Sequence, residues 1–133
     1  MYRTVLCVGC FDLFHVGHLA HLEASYDLGD ELVVGITKDK YVNKGAGRPL
    51  DKEKDRARMV QGIWCVSKVG LVRSSLEALK KFDPQVFSLG SDYKGKVLKE
   101  DQDYCDRHGI EIKFTDERRL SSTDRYERLK GDR

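Results

Sequence analysis

Two hydrophobic rhythms take turns along this chain from one end to the other. Thr4 to Cys10 is an apolar, β-branched run that stops at Phe11-Asp12, the pattern of a strand covered on both faces. Leu19, Leu22 and Tyr26 then recur at helical spacing and end near Gly29, placed as a C′ glycine. Glu31 to Thr37 is a second strand, and Lys38 to Leu50, with Gly45, Gly47 and Pro49, is a charged loop. Asp51 is positioned to cap a helix carrying Met59, Val60, Ile63 and Trp64 on one side. Val69 to Val72 gives a third strand. Ser74 and Glu77 make a capping box for a helix through Leu76, Leu79 and Phe82, which Asp83-Pro84 ends. Val86 to Leu89, a helix over Lys96 to Arg107 stopped at His108-Gly109, and Ile110 to Phe114 follow. Ser121 or Ser122 caps a last helix reaching about Leu129.

Five strands alternating with helices predict an α/β fold: a Rossmann-like, doubly wound, five-stranded parallel sheet forming one domain over 1–133. Such sheets bind ligands beyond the carboxyl ends of their strands. Four polar stretches fall there, Gly9 to His18, Thr37 to Lys44, Gly90 to Lys96 and Arg118 to Thr123.

Composition narrows the function classes. The 133 residues are 40% hydrophobic and 35% charged, and 24 Lys and Arg against 22 Asp and Glu give a net charge of +2. That near balance speaks against nucleic acid or a polybasic membrane contact as partner. No apolar stretch approaches the roughly 18 residues of a membrane span, and Met1 to Thr4 lacks signal-peptide features. The expectation is a soluble, cytoplasmic domain. Cys7, Cys10, Cys65 and Cys105 are then expected as reduced thiols. Cys7 and Cys10 form a CxxC, but no second pair or HxxxH completes a zinc set, and redox pairs open helices rather than sit in an apolar run. Packing is the better account of them.

The densest chemistry lies in Gly9-Cys10-Phe11-Asp12-Leu13-Phe14-His15-Val16-Gly17-His18. A glycine leaving a strand lets backbone approach a phosphate, and a helix start offers free N–H groups to an anion. His15 and His18, one turn apart, can donate hydrogen bonds to phosphate oxygens and stabilise charge as it develops. Gly17 leaves space above the helix end. Elsewhere the ordinary readings prevail: His21 on a polar face, His108 against a helix dipole, Trp64 in the core or at a dimer contact.

The GxFDxxHxGH pattern resembles the signature of the cytidylyltransferase-like nucleotidyltransferases, over nearly the whole chain. It is closest to the glycerol-3-phosphate cytidylyltransferases, with the nucleotidyl domain of ADP-heptose synthases nearly as similar. The resemblance implies Asp39 on the acceptor side, and a catalytic lysine touching phosphates, for which Lys44 is better placed than Lys40. It also implies phosphate or nucleotide contacts for Arg56, for Gly90, Asp92 and Tyr93, and for Ser121, Ser122 and Thr123. The chain departs from the family pattern at Arg119, where a glycine is usual, and at Asp116, so that Arg118 or Arg119 must supply the family arginine. Gly45 to Leu50 and Gly90 to Lys94 resemble the heptose-type sequences as well. Asp12 is read as orienting the loop or a magnesium-bound water.

The leading expectation is CMP transfer from CTP to a small phosphorylated alcohol of the glycerol 3-phosphate type, with pyrophosphate released and Mg2+ present. An adenylyltransferase using ATP, of the ADP-heptose or flavin type, is the first alternative, and a non-catalytic nucleotide-binding protein the second. The resemblance further implies a homodimer.

Overall fold

The computed structural model describes residues 1–116. Five strands form one parallel sheet: β1 (Thr4–Gly9), β2 (Glu31–Thr37), β3 (Lys68–Val72), β4 (Val86–Gly90) and β5 (Glu111–Thr115), in the order β3-β2-β1-β4-β5. Among the described residues the helices are α1 (Val16–Tyr26), α2 (Glu53–Gln61), α3 (Ser75–Phe82) and α4 (Lys99–His108), and single 3-10 turns cover Asp39–Tyr41 and Ser91–Tyr93; the last helix expected from Ser121 or Ser122 to about Leu129 lies outside them.

Side chains alternate across the strands, which splits the core into two layers. Val5 and Cys7 of β1 and Leu32, Val34 and Ile36 of β2 pack with Leu22 of α1 and Val60 of α2. Leu6 and Val33 face the other way, onto Ala78 and Leu79 of α3 and Cys105 of α4. Helices therefore cover both faces, as the continuous apolar strands anticipate. All four cysteines are free and buried, and burial pushes the Cys7 thiol up to about 12. Among the described residues no helix is long and apolar enough to cross a membrane.

The sheet opens at one place that matters. β1 pairs with β2 over six residues, but with β4 only through Val5–Val86 and Leu6–Phe87. Beyond Leu6 the two backbones part, because chain order reverses between these strands and their connections leave in opposite directions.

Several local expectations need correction. α1 ends on Asp27, not near Gly29. Gly29 is needed for a close approach instead, since a Cβ there would lie 2.7 Å from Val5 Cγ2 and 2.9 Å from the Arg3 carbonyl oxygen. Lys52, not Asp51, is the N-cap of α2, without a side-chain bond. Asp51 Oδ2 accepts the Leu13 amide. Trp64 and Met59 are 68% and 55% exposed and so stand outside the core, and α2 buries Val60 and Arg56. Trp64 packs edge-on against Tyr26 and donates its indole N–H to Glu23. Only half of the capping box at α3 forms. Ser74 accepts the Glu77 amide as expected, but the Glu77 carboxylate takes the Arg73 amide and guanidinium.

Candidate active site

The turn between β1 and α1 stands beside the place where the strands part. Phe11 and Leu13 have φ of 53° and 48°, a left-handed backbone that costs energy in residues with a Cβ. The surroundings hold it there. Arg56 Nη1 donates to the Cys10 carbonyl at 2.8 Å, and Asp51 takes the Leu13 amide at 3.2 Å. Asp12, buried between them, reaches across to the 38–50 loop. It accepts the amides of Leu50 and Asp51 and the Arg48 Nε, each at 2.9 Å. Burial pushes the Asp12 carboxyl up, but the Asp51 and Leu50 amides and Arg48 outweigh that and hold it at about 2. Asp12 thus ties two loops together, which agrees with its reading as a loop-orienting residue.

His15 and His18 open α1 as a capping box built from imidazoles. His15 Nδ1 accepts the Gly17 amide at 3.0 Å, and His18 Nδ1 accepts the His15 amide at 3.2 Å. Two of the helix's orphan N–H groups are satisfied in this way. In a neutral ring whose Nδ1 accepts, the proton sits on Nε2. Both rings therefore keep an Nε2–H donor for a ligand. Their centroids are 3.9 Å apart with planes tilted by 31°, and Phe11 and Phe14 lie at 5.4 and 5.3 Å from His18. Half-burial, then the fields of His15 and Lys44, lower His18 to about 4. Near neutrality it is an uncharged donor.

The two glycines of the turn are required by packing. A Cβ on Gly17 would lie 2.8 Å from His15 Cε1, so the space above the helix end is filled by the imidazole. A Cβ on Gly9 would meet Phe11 Cε2 at 2.9 Å.

A cavity of about 380 Å³ occupies the cleft where β1 and β4 diverge. Of the residues expected at the site, Gly9, Cys10, Lys44 and Tyr93 line it together with Thr37 at the end of β2, whereas Phe11, His15, Gly17 and His18 are not among the lining residues. Gly90 is buried at the end of β4, and Asp92 is exposed outside the cavity lining. Arg56 does not fit the phosphate-binding expectation in this arrangement. Its side chain is fully buried, with Nη2 on Asp39 at 2.6 Å, Nη1 on Cys10 and Nε on the Asp51 carbonyl. A buried guanidinium must spend its donors nearby. Asp39 is its partner, held below the usual carboxylate range by that hydrogen bond, and is not among the cavity residues. The pair acts as a clamp between the 38–50 loop, α2 and the His-bearing turn. Ser121, Ser122 and Thr123, with Arg118 and Arg119, lie outside the described residues. Sequence reasoning did not single out Tyr41, Asn43, Ser75 or Asp101, all of which line the cavity. Lys96, which ends the polar Gly90 to Lys96 stretch, also lines it.

Among the described residues no group of three or more His, Cys, Asp or Glu stands together to hold a metal. Both oxygens of Asp12 are engaged by amides and Arg48.

The model of the family described as cytidylyltransferase-like matches residues 6–128. The chain belongs to the cytidylyltransferase-like family. Among similar family members, the bifunctional protein HldE of Campylobacter concisus is 39% identical over 100 residues, covering 72% of this chain and 21% of that protein. HldE of Aliarcobacter butzleri is 34% identical over 125 residues, covering 91% and 26%. The chain spans about a fifth to a quarter of the length of these curated relatives. A solved structure described as a lipopolysaccharide core biosynthesis protein from Thermoplasma volcanium superposes with a TM-score of 0.71. It is 27% identical, and the match covers 86% of this chain and 94% of that one. A pantoate-beta-alanine ligase from Francisella tularensis shares the fold alone, at 10% identity and a TM-score of 0.61.

Proposed function

We propose that this chain is a nucleotidyltransferase that moves the AMP group of ATP to a phosphorylated sugar and releases pyrophosphate. The paired imidazoles carry the proposal, since each keeps an Nε2–H donor on the β1–α1 segment whose Gly9 and Cys10 line the cavity at the sheet's switch point. Adenylyl transfer is preferred over CMP transfer to glycerol 3-phosphate because the curated relatives are HldE proteins. The Gly45 to Leu50 and Gly90 to Lys94 segments also resemble the ADP-heptose synthase type.

The acceptor phosphate is already an anion and attacks the α-phosphorus of the nucleotide. A new P–O bond forms as the bond to the β-phosphate bridging oxygen breaks, and pyrophosphate leaves. No strong general base is required, so catalysis is placement and charge stabilisation. His15 and His18 donate to the α- and β-phosphate oxygens, and Lys44 neutralises the reacting phosphate. Magnesium would enter with the triphosphate, and the Ser121 to Thr123 segment is proposed to meet its pyrophosphate end. Pyrophosphate release should be compared with ATP and CTP against sugar phosphates and glycerol 3-phosphate. Faster turnover with CTP and glycerol 3-phosphate would overturn the adenylyl reading. Nucleotide binding without any turnover would favour the non-catalytic alternative.

A further inference from the structure

Asp101 is the one carboxylate among the described residues lining the cavity, and it is only 3% exposed. It stands in the first turn of α4, where sequence alone explains it as a charge matched to the helix dipole. Its surroundings point further. Ser75, the first residue of α3, also lines the cavity and donates its hydroxyl to Asp101 Oδ2 at 2.5 Å. That bond fixes the rotation of the carboxyl group. Asp101 Oδ1 is buried and has no hydrogen-bond partner in the protein. Buried polar atoms are nearly always paired, and a bare carboxylate oxygen is costly to keep. Burial raises the carboxyl above its ordinary range, against the opposing effect of the Ser75 bond.

The remaining lining says what kind of donor belongs there. Lys44 and Lys96 supply two cations, and Phe87, Leu89 and Val97 supply apolar wall. A compound with a phosphate at one end and hydroxyls along a short carbon frame matches all three features. The lysines take the phosphate, the apolar wall covers the frame, and a hydroxyl reaches the bare oxygen. An amine would bring a third positive charge beside the two lysines, so a neutral hydroxyl is the better donor.

Resting on the transfer reading above, the geometry points to Asp101, oriented by Ser75, as the residue that selects the acceptor by receiving a hydroxyl of a phosphorylated sugar or polyol at Oδ1. A site that buries an atom for a substrate hydroxyl discriminates strongly against the analogue lacking it, because the atom is then left unpaired.

Asp101→Leu tests this with a side chain of similar shape that neither accepts nor donates; an amide in its place would still donate to the oxygen of the ligand's hydroxyl. Binding to the full chain is measured by calorimetry for aldose phosphates of three to seven carbons and for alkyl phosphates of matching length. The unsubstituted chain should prefer at least one hydroxylated member by about tenfold or more. Asp101→Leu should abolish that preference and leave ATP affinity within about twofold. Should Asp101→Leu fail to fold, Ser75→Ala carries the same test through loss of at least half of the preference. A parent chain without hydroxyl preference, or a preference that survives substitution, overturns the assignment. Pyrophosphate release on the same samples separates the two ideas. Hydroxyl-dependent binding without turnover sinks the transfer reading and leaves the subsite, whereas turnover with undiminished preference in Asp101→Leu sinks the subsite alone.

Discussion

Titration of His18 by NMR should find its midpoint at about 4 rather than near 6.5, because half-burial and neighbouring positive charge oppose a second ring proton. The unfolded chain takes up that proton first as pH falls. The contribution of His18 to stability is therefore intact above about 6.5 and declines as pH drops toward 4, which denaturant midpoints across that window will read. Replacing His18 by Asn keeps an oxygen able to accept the His15 amide but removes the Nε2–H donor. Its kcat should fall by about a hundredfold, roughly 3 kcal/mol of transition-state stabilisation, with little loss of melting temperature. Equal rates for this variant and the parent would take His18 out of the reaction. The place of these histidines at the start of α1 was legible in the chain because a glycine-bordered turn follows an apolar strand there. The burial of Arg56 and of Asp101 was not legible, for the converse reason. A charged residue type predicts exposure, and only the folded arrangement reveals that Arg56 and Asp101 are enclosed.

At the scale of elements, the Arg56–Asp39 clamp joins α2 to the loop after β2 and, through Cys10, to the His-bearing turn. Arg56→Leu should cost about 3 kcal/mol in urea unfolding, as breaking buried charged contacts generally does. Exchange of the Leu50 and Asp51 amides should quicken in Asp12→Asn, which weakens their acceptor, while amides of β2 keep their protection. Unchanged exchange at both would show that Asp12 does not tether the loop. Strands were readable from the chain to within a residue or two, since β1, β2 and β4 are buried as near-continuous apolar runs, and edge strand β5 alternates, with Glu111 and Lys113 exposed. The apolar side read for helix α2 held at two positions, since Val60 is buried and Ile63 packs against the core while Met59 and Trp64 are exposed. Met59 and Trp64 are apolar and adjacent to the helix's buried side in spacing, yet the inward position between them and the turn is taken by Arg56. The start of α2 was likewise displaced by one residue, because Asp51 spends its carboxylate on Leu13 rather than on a helix amide.

For the whole molecule, the predicted architecture and the observed one agree in strand number, direction and the two-sided arrangement of helices. The choice between ATP and CTP was not legible, since base recognition depends on side chains that several loops bring together. A homodimer remains proposed, and sedimentation of the chain will read its mass directly. Trp64→Ser is expected to change monomer stability by no more than about 0.5 kcal/mol, given its exposed position. If the same substitution shifts the sedimenting species from two copies to one, the Trp64 face is the contact. The parting of β1 from β4 after two paired residues has a broader result. The hollow comes from the path of the main chain and was not carved out by trimming side groups. Its location is thereby insulated from drift in the residues around its rim, and new compounds could be accommodated by re-dressing those residues while the scaffold stays as it is.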